Sequence, residues 1–229
     1  MSEFRTETDS LGDVQVPADA LWGAQTQRAV ENFPVSGQPM PQPFIAAVAQ
    51  IKRAAAEANT SLGLLDNDLR DAISQACEDL VKGEYADQFP VDRYQTGSGT
   101  STNMNVNEVI ASIARNAGFE VHPNDHVNMS QSSNDVIPTA IHVSAVIAAK
   151  EKPLPALSHL SVVIYEQEAA FSSQVKPGRT HLLDAMPVTL GPDLTTWREQ
   201  LLAAEQRVEP AADWLLSSPQ GARAGGARG

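Results

Sequence analysis

The chain has 229 residues, 42% of them hydrophobic and 5% aromatic, and a formal net charge of −12. That hydrophobic fraction supports a packed core and excludes a disordered chain, while few aromatics beside abundant alanine favour packed helices over a β-sandwich. The acidic balance excludes nucleic acid and anionic membrane as partners, since both need clustered Lys and Arg.

Pro17-Ala18-Asp19 opens a predicted helix reaching Phe33, with the proline in or before its first turn. Pro39, Pro41 and Pro43 mark an extended connection. Phe44, Val48, Ile51, Ala55, Ala58 and Leu62 then recur at the period of one buried helical face, which Gly63 stops. Leu69, Ile73, Ala76 and Leu80 repeat the pattern behind the capping-type Asp66 and Asn67, and Gly83 closes that helix. Val106, Ile110, Ile113 and Ala117 make another, ended by Gly118. A longer stretch starts near Ser132-Ser133-Asn134-Asp135, with an inward face of Val136, Ala140, Val143, Ile147, Leu157, Leu160, Ile164 and Phe171. Unbroken from 134 to 173 it would span roughly 60 Å, and Pro153 and Pro155 should kink or interrupt it. A last helix runs from about Asp193 to Trp214. No strand alternation exceeds a few residues and no repeat is visible, so the expected fold class is all-α. From Gly221 onward the chain holds only glycine, alanine and arginine, so 220–229 reads as a disordered tail.

Cys77 is the sole cysteine, which excludes a disulfide framework and a multi-cysteine metal site. The opening residues carry Glu3, Arg5, Glu7, Asp9 and Asp13 without an apolar run, and no membrane-length apolar stretch follows. The expectation is a soluble, cytoplasmic protein.

Four polar segments interrupt the helical rhythm. Gln95 through Asn105 combines glycines, hydroxyls and amides ahead of a helix, a combination suited to a carboxylate or equally to an ordinary solvated cap. It is not a phosphate-binding Walker loop, because no Gly-Lys-Ser/Thr follows. His122 and His126 lie four apart around Pro123, Asn124 and Asp125. That spacing suits a metal pair only on a helix, which Pro123 opposes, and no third ligand is evident; a polar turn or a secondary anion pocket fits better. Ser130 through Asp135 is longer than a helix cap requires. Lys176 through His181 sits between two predicted helices, where His181 beside Thr180 is either a surface residue or a tunable proton carrier.

Taken in order, Trp22 through Ala29, Gln95 through Asn105, His122 through Asp125, Ser130 through Asp135 and Gly178 through His181 resemble the motifs of class II fumarase, within the fumarase/aspartase superfamily. The resemblance reaches about Pro219. It implies reversible hydration of fumarate to L-malate in the citric acid cycle by a cytoplasmic homotetramer, with no cofactor and no metal. It also implies that Ser98, Gly99, Thr100, Ser132, Ser133 and Asn134 hold a substrate carboxylate. Thr180 and the catalytic His181 would come from another subunit, and His122, Pro123, Asn124 and Asp125 would form a secondary dicarboxylate site. Aspartate ammonia-lyase is the near alternative. Thr96-Gly97-Ser98-Gly99-Thr100 and His181 favour fumarase, whereas Asp87 through Asp92 and Asn124 through Asn128 look aspartase-like.

The chain also departs from the family pattern. Phe119, Glu120 and Val121 stand where a basic residue usually precedes His122, and Pro192 replaces a usual glutamine. The family's later loop, with its serine base and anion-binding lysine and asparagine, has no counterpart before Gly229. The resulting expectation is an N-terminal lyase domain (1–133), the first helices of an incomplete central bundle (134–219) and a tail (220–229). Such a chain is expected to be inactive alone, and an inactive helical fragment or assembly module is a further alternative.

Overall fold

The computed structural model describes residues 4–221, so the expected tail falls almost wholly outside the described residues. Two compact units emerge, one taking residues up to Ser144 together with the chain from Ser218, the other Ala145–Ser217.

The first unit opens with an antiparallel hairpin of β1 (Phe4–Asp9) and β2 (Gly12–Pro17), in which Phe4 faces Pro17. Four helices follow: α1 (Ala24–Asn32), α2 (Gln42–Ser61), α3 (Asn67–Lys82) and α4 (Thr100–Asn116). A 3-10 turn (Ala86–Gln88) precedes α4, a π-turn (Pro123–Val127) follows it, and α5 (Ser133–Glu151) begins in this unit. The second unit takes the rest of α5, then α6 (Pro153–Phe171), a hairpin of β3 (Val175–Thr180) and β4 (Leu183–Thr189), and α7 (Gly191–Trp214).

The expected all-α class holds, with two small hairpins added. No helix among the described residues is long and apolar enough to cross a membrane. The apolar stripes predicted for α2, α3 and α4 interlock: Val48, Ile73, Ala76, Leu80, Val106 and Ile110 are fully buried in one core cluster. Gly63 and Gly83 end α2 and α3 at φ +71° and +88°, a region that glycine enters without steric cost. Asp66 stands at the N-cap of α3 as expected, but its side chain bonds no helix N–H.

The helix expected from Pro17 is absent, because Pro17 closes β2 and α1 begins only at Ala24. Val14 and Val16 alternate with polar neighbours and are buried against Ala20, Ala24 and Trp22, a strand signal too short to read beforehand. The carbonyls that would have started a helix are taken as well. The Arg5 guanidinium donates to the oxygens of Pro17, Ala20 and Trp22 at 2.9, 2.6 and 2.6 Å.

The expected interruption of the long helix occurs at Lys152, where φ is −124° and Pro153 starts α6. The predicted inward face of 157–171 is only partly covered: Leu157, Ile164 and Phe171 are half-buried, Leu160 is exposed, and Ser161 is the buried residue of α6. Periodicity identifies which face is apolar; it does not supply what covers it.

Candidate active site

Asp92 sets the first polar loop. Its buried carboxylate accepts from Ser36 N, Gly37 N and Tyr94 N at 2.6, 2.7 and 2.8 Å, and from Ser36 Oγ. Burial alone would raise its pKa, but these bonds outweigh it and hold the group down from an ordinary 3.8 to about 2. A depressed pKa stabilises the fold above the unfolded-state value and loses that contribution as pH falls through the folded one. Acid titration of stability should therefore steepen between about pH 4 and pH 2. In Asp92→Asn that limb should shrink, and denaturation curves at pH 2.5 and pH 7 decide it; an unchanged pH dependence would refute the assignment.

Past Asp92, Gln95 clamps the loop. Its Oε1 accepts from Thr102 N at 2.9 Å and its Nε2 donates to Thr102 Oγ1 at 2.7 Å. Within that clamp Gly99 adopts φ +67°, and a Cβ there would lie 3.0 Å from Ile137 of α5. Only glycine lets the loop lie this close to α5. The result places Ser98 Oγ and Thr100 Oγ1 2.8 Å apart, both exposed, at the start of α4.

The second loop ends in a capping box. Ser132 Oγ accepts from Asn134 N at 3.3 Å while Asp135 Oδ1 accepts from Ser132 N at 2.9 Å. The cap reading of this segment is thus realised, and it fixes where Ser133 and Asn134 stand. Asn103, in the first turn of α4, donates to Ser133 Oγ at 3.0 Å, which joins the N-termini of α4 and α5. Ser98 and Thr100 thus stand at the N-terminus of α4 and Ser133 at that of α5, positions where helix dipoles and unpaired N–H groups favour an anion.

Beneath this site lies Lys52, which sequence reasoning missed, with Asn103 and Asn128, which lay inside the polar segments but were given no role. Asn103 Nδ2 also donates to Asn128 Oδ1 at 3.2 Å, and that oxygen accepts from Lys52 Nζ at 2.8 Å. Lys52 is completely buried, and burial pulls its pKa from 10.5 to about 7. The Asp135 carboxylate opposes that fall. The Cys77 thiol counts for less, because burial holds it neutral up to about 12. The available signal was a lysine inside an apolar stripe, since Val48, Lys52, Ala56 and Asn59 are all buried on α2.

His122 caps the π-turn, its Nδ1 accepting from Asp125 N at 3.1 Å, while His122 N donates to His126 Nδ1 at 3.0 Å. Asp125 Oδ2 lies 3.1 Å from the same His122 Nδ1. Both Nδ1 atoms are spent inside the turn, as a polar turn requires. Among the described residues no group of three or more His, Cys, Asp or Glu is placed to hold a metal.

Thr180 and His181 belong to the second unit and were expected in a loop between helices; they lie instead on the β3–β4 hairpin. Thr180 pairs with Leu183, leaving His181 and Leu182 as a two-residue turn at φ +51° and +63°. Both positive values suit a type I′ connection, which matches strand twist even with non-glycine residues. Gly178 is required by a bulge: a Cβ there would lie 2.8 Å from Met186 O. The hairpin therefore presents His181 at an exposed tip.

A family model described as lyase matches residues 12–228. The class II fumarate hydratase of Xylella fastidiosa is 53% identical over 222 residues, covering 96% of this chain and 47% of that protein. The class II fumarate hydratase of Halobacterium salinarum is 51% identical over 233 residues, covering 99% of this chain and 50% of that protein. The crystal structure of class II fumarase from Schistosoma mansoni superposes with a TM-score of 0.90 at 39% identity, over 97% of this chain and 48% of that one. The chain spans about half the length of the curated relatives it matches.

Proposed function

The chain belongs to the lyase family, and from that premise we propose that it carries the carboxylate-binding region of a fumarate hydratase. The observation that supports this most is the meeting of two helix N-termini under the Ser98, Thr100 and Ser133 hydroxyls. Ser98, Thr100, Ser132, Ser133 and Asn134 bind one carboxylate of fumarate or L-malate, with Gly99 giving backbone access. Removing the C3 proton of malate sends electron density into the adjacent carboxylate, whose charge then approaches −2. Fixed donors that already face that carboxylate bond it more strongly as the charge grows, so they lower the barrier as well as bind.

In this reading Thr180 and His181 reach the site from a second copy in a homotetramer, and His181 moves the proton of the water that is added or lost. His122, Pro123, Asn124 and Asp125 form a secondary dicarboxylate site, and the protein works in the cytoplasm. The aspartase-like Asp87–Asp92 segment has a structural explanation in the Asp92 anchor. It therefore adds nothing for an ammonia-lyase.

The test is the ultraviolet absorbance of fumarate on addition of the full-length protein to fumarate or to malate. Interconversion of the two, without ammonia release from aspartate, is the expected result. Ammonia release without hydration would assign the ammonia-lyase instead, and neither activity would leave a helical assembly module.

A further inference from the structure

We infer that Lys52 is a positioning residue for the carboxylate site, fixing the donor direction of a relay through Asn128 and Asn103 so that the Ser133 hydroxyl keeps its proton for the ligand. The inference rests on the reading of Ser133 as a carboxylate ligand.

The relay can run in two directions, and Lys52 selects one. Protonated, as it is below about pH 7, Lys52 has donors and no acceptor, so the Asn128 amide turns its oxygen toward Nζ at 2.8 Å and its nitrogen toward Gln131 O at 3.4 Å. That same oxygen faces Asn103, so Asn103 must present its Nδ2, at 3.2 Å. The second Nδ2 proton then goes to Ser133 Oγ at 3.0 Å. A serine hydroxyl has one proton, and Ser133, already accepting from Asn103, has that proton free to give outward.

Without the lysine only the long 3.4 Å bond to Gln131 O holds the Asn128 amide, and both amides can turn over. Asn128 would then offer Nδ2 to Asn103 Oδ1, Asn103 would shift its donors away, and Ser133 would be drawn to donate inward. The observed direction carries a standing cost, because the buried Asn103 Oδ1 has no hydrogen-bond partner among the described residues. An orphaned oxygen beside the site is what a relay locked from one end would show. The lock also spans the fold, with Lys52 on α2, Asn128 after the π-turn, Asn103 on α4 and Ser133 on α5.

The experiment is a double-mutant cycle in the full-length protein, read in KM for fumarate. Ser133→Ala should raise KM about tenfold, the scale of one lost hydrogen bond. Lys52→Met should raise KM severalfold, and Lys52→Met in the Ser133→Ala background should add nothing. Asn103→Leu breaks the same relay one residue nearer the site and should repeat that pattern, which keeps the test valid if Lys52→Met folds poorly. A merely structural lysine would lower the active fraction, reducing kcat and leaving KM unchanged. That outcome, or KM effects of Lys52 and Ser133 that multiply, would overturn the inference. An unchanged KM in Ser133→Ala would instead sink the reading on which it rests.

Discussion

His181→Asn in the full-length protein is expected to lower kcat for fumarate hydration by about a hundred- to a thousandfold, the usual contribution of a positioned general acid or base. Asparagine keeps a hydrogen-bonding group on the hairpin tip and removes the ability to take and return a proton. The tip makes this a clean substitution. His181 is exposed and occupies a left-handed position (φ +51°), which asparagine tolerates well. The fold should be unaffected, so the loss belongs to the chemistry. KM should move little, because a group acting mainly on the proton of the added water contributes more to the transition state than to binding. Steady-state kinetics decide it: a kcat within about threefold of the unmodified protein would remove His181 from the catalytic role.

Glu108→Ala is expected to cost about 3–5 kcal/mol of stability, the largest single effect away from the site. The carboxylate is buried on α4 and receives Gly23 N, Gln25 N and Thr26 N at 2.9, 3.1 and 3.2 Å. Those are the unpaired donors of the first turn of α1, whose N-cap has no side-chain bond of its own. Glu108 thus caps one helix from the body of another, with the favourable end of the α1 dipole turned toward its charge. A Cβ at Gly23 would sit 3.0 Å from Glu108 Oε1, so a side chain there would push the carboxylate back. Denaturant midpoints compared with the unmodified protein measure the loss, and a change below about 1 kcal/mol would show that water replaces the carboxylate without penalty.

The parts of the fold that were legible share a local cause. The stripes of α2, α3 and α4, the stops at Gly63 and Gly83 and the break before Pro153 each follow from a few neighbouring side chains. The Val14 and Val16 strand was not legible, because two buried valines offer too short an alternation to separate from noise. The hairpin carrying His181 hid for another reason. Its turn uses His181 and Leu182 at positive φ, whereas the usual signature of such a turn is Asn-Gly. Among the proposed site residues, Ser98, Thr100, Ser132, Ser133 and Asn134 were named by the family resemblance; the clustering of small polar residues before a helix start marked only the segments that hold them. The linked role of Lys52, Asn103 and Asn128 was not legible, because they are distant in sequence and meet only through packing.

Composition and periodicity therefore determined that the chain is helical, acidic and built around polar loops at helix starts, since each of these depends on residues within a turn or two of one another. Tertiary structure decided which of those loops meet. It brought the starts of α4 and α5 together through Asn103 and Ser133, and it placed a buried lysine behind them. The direction of a hydrogen-bond relay depends on which groups face one another across the fold, and spacing along the chain carries no record of that.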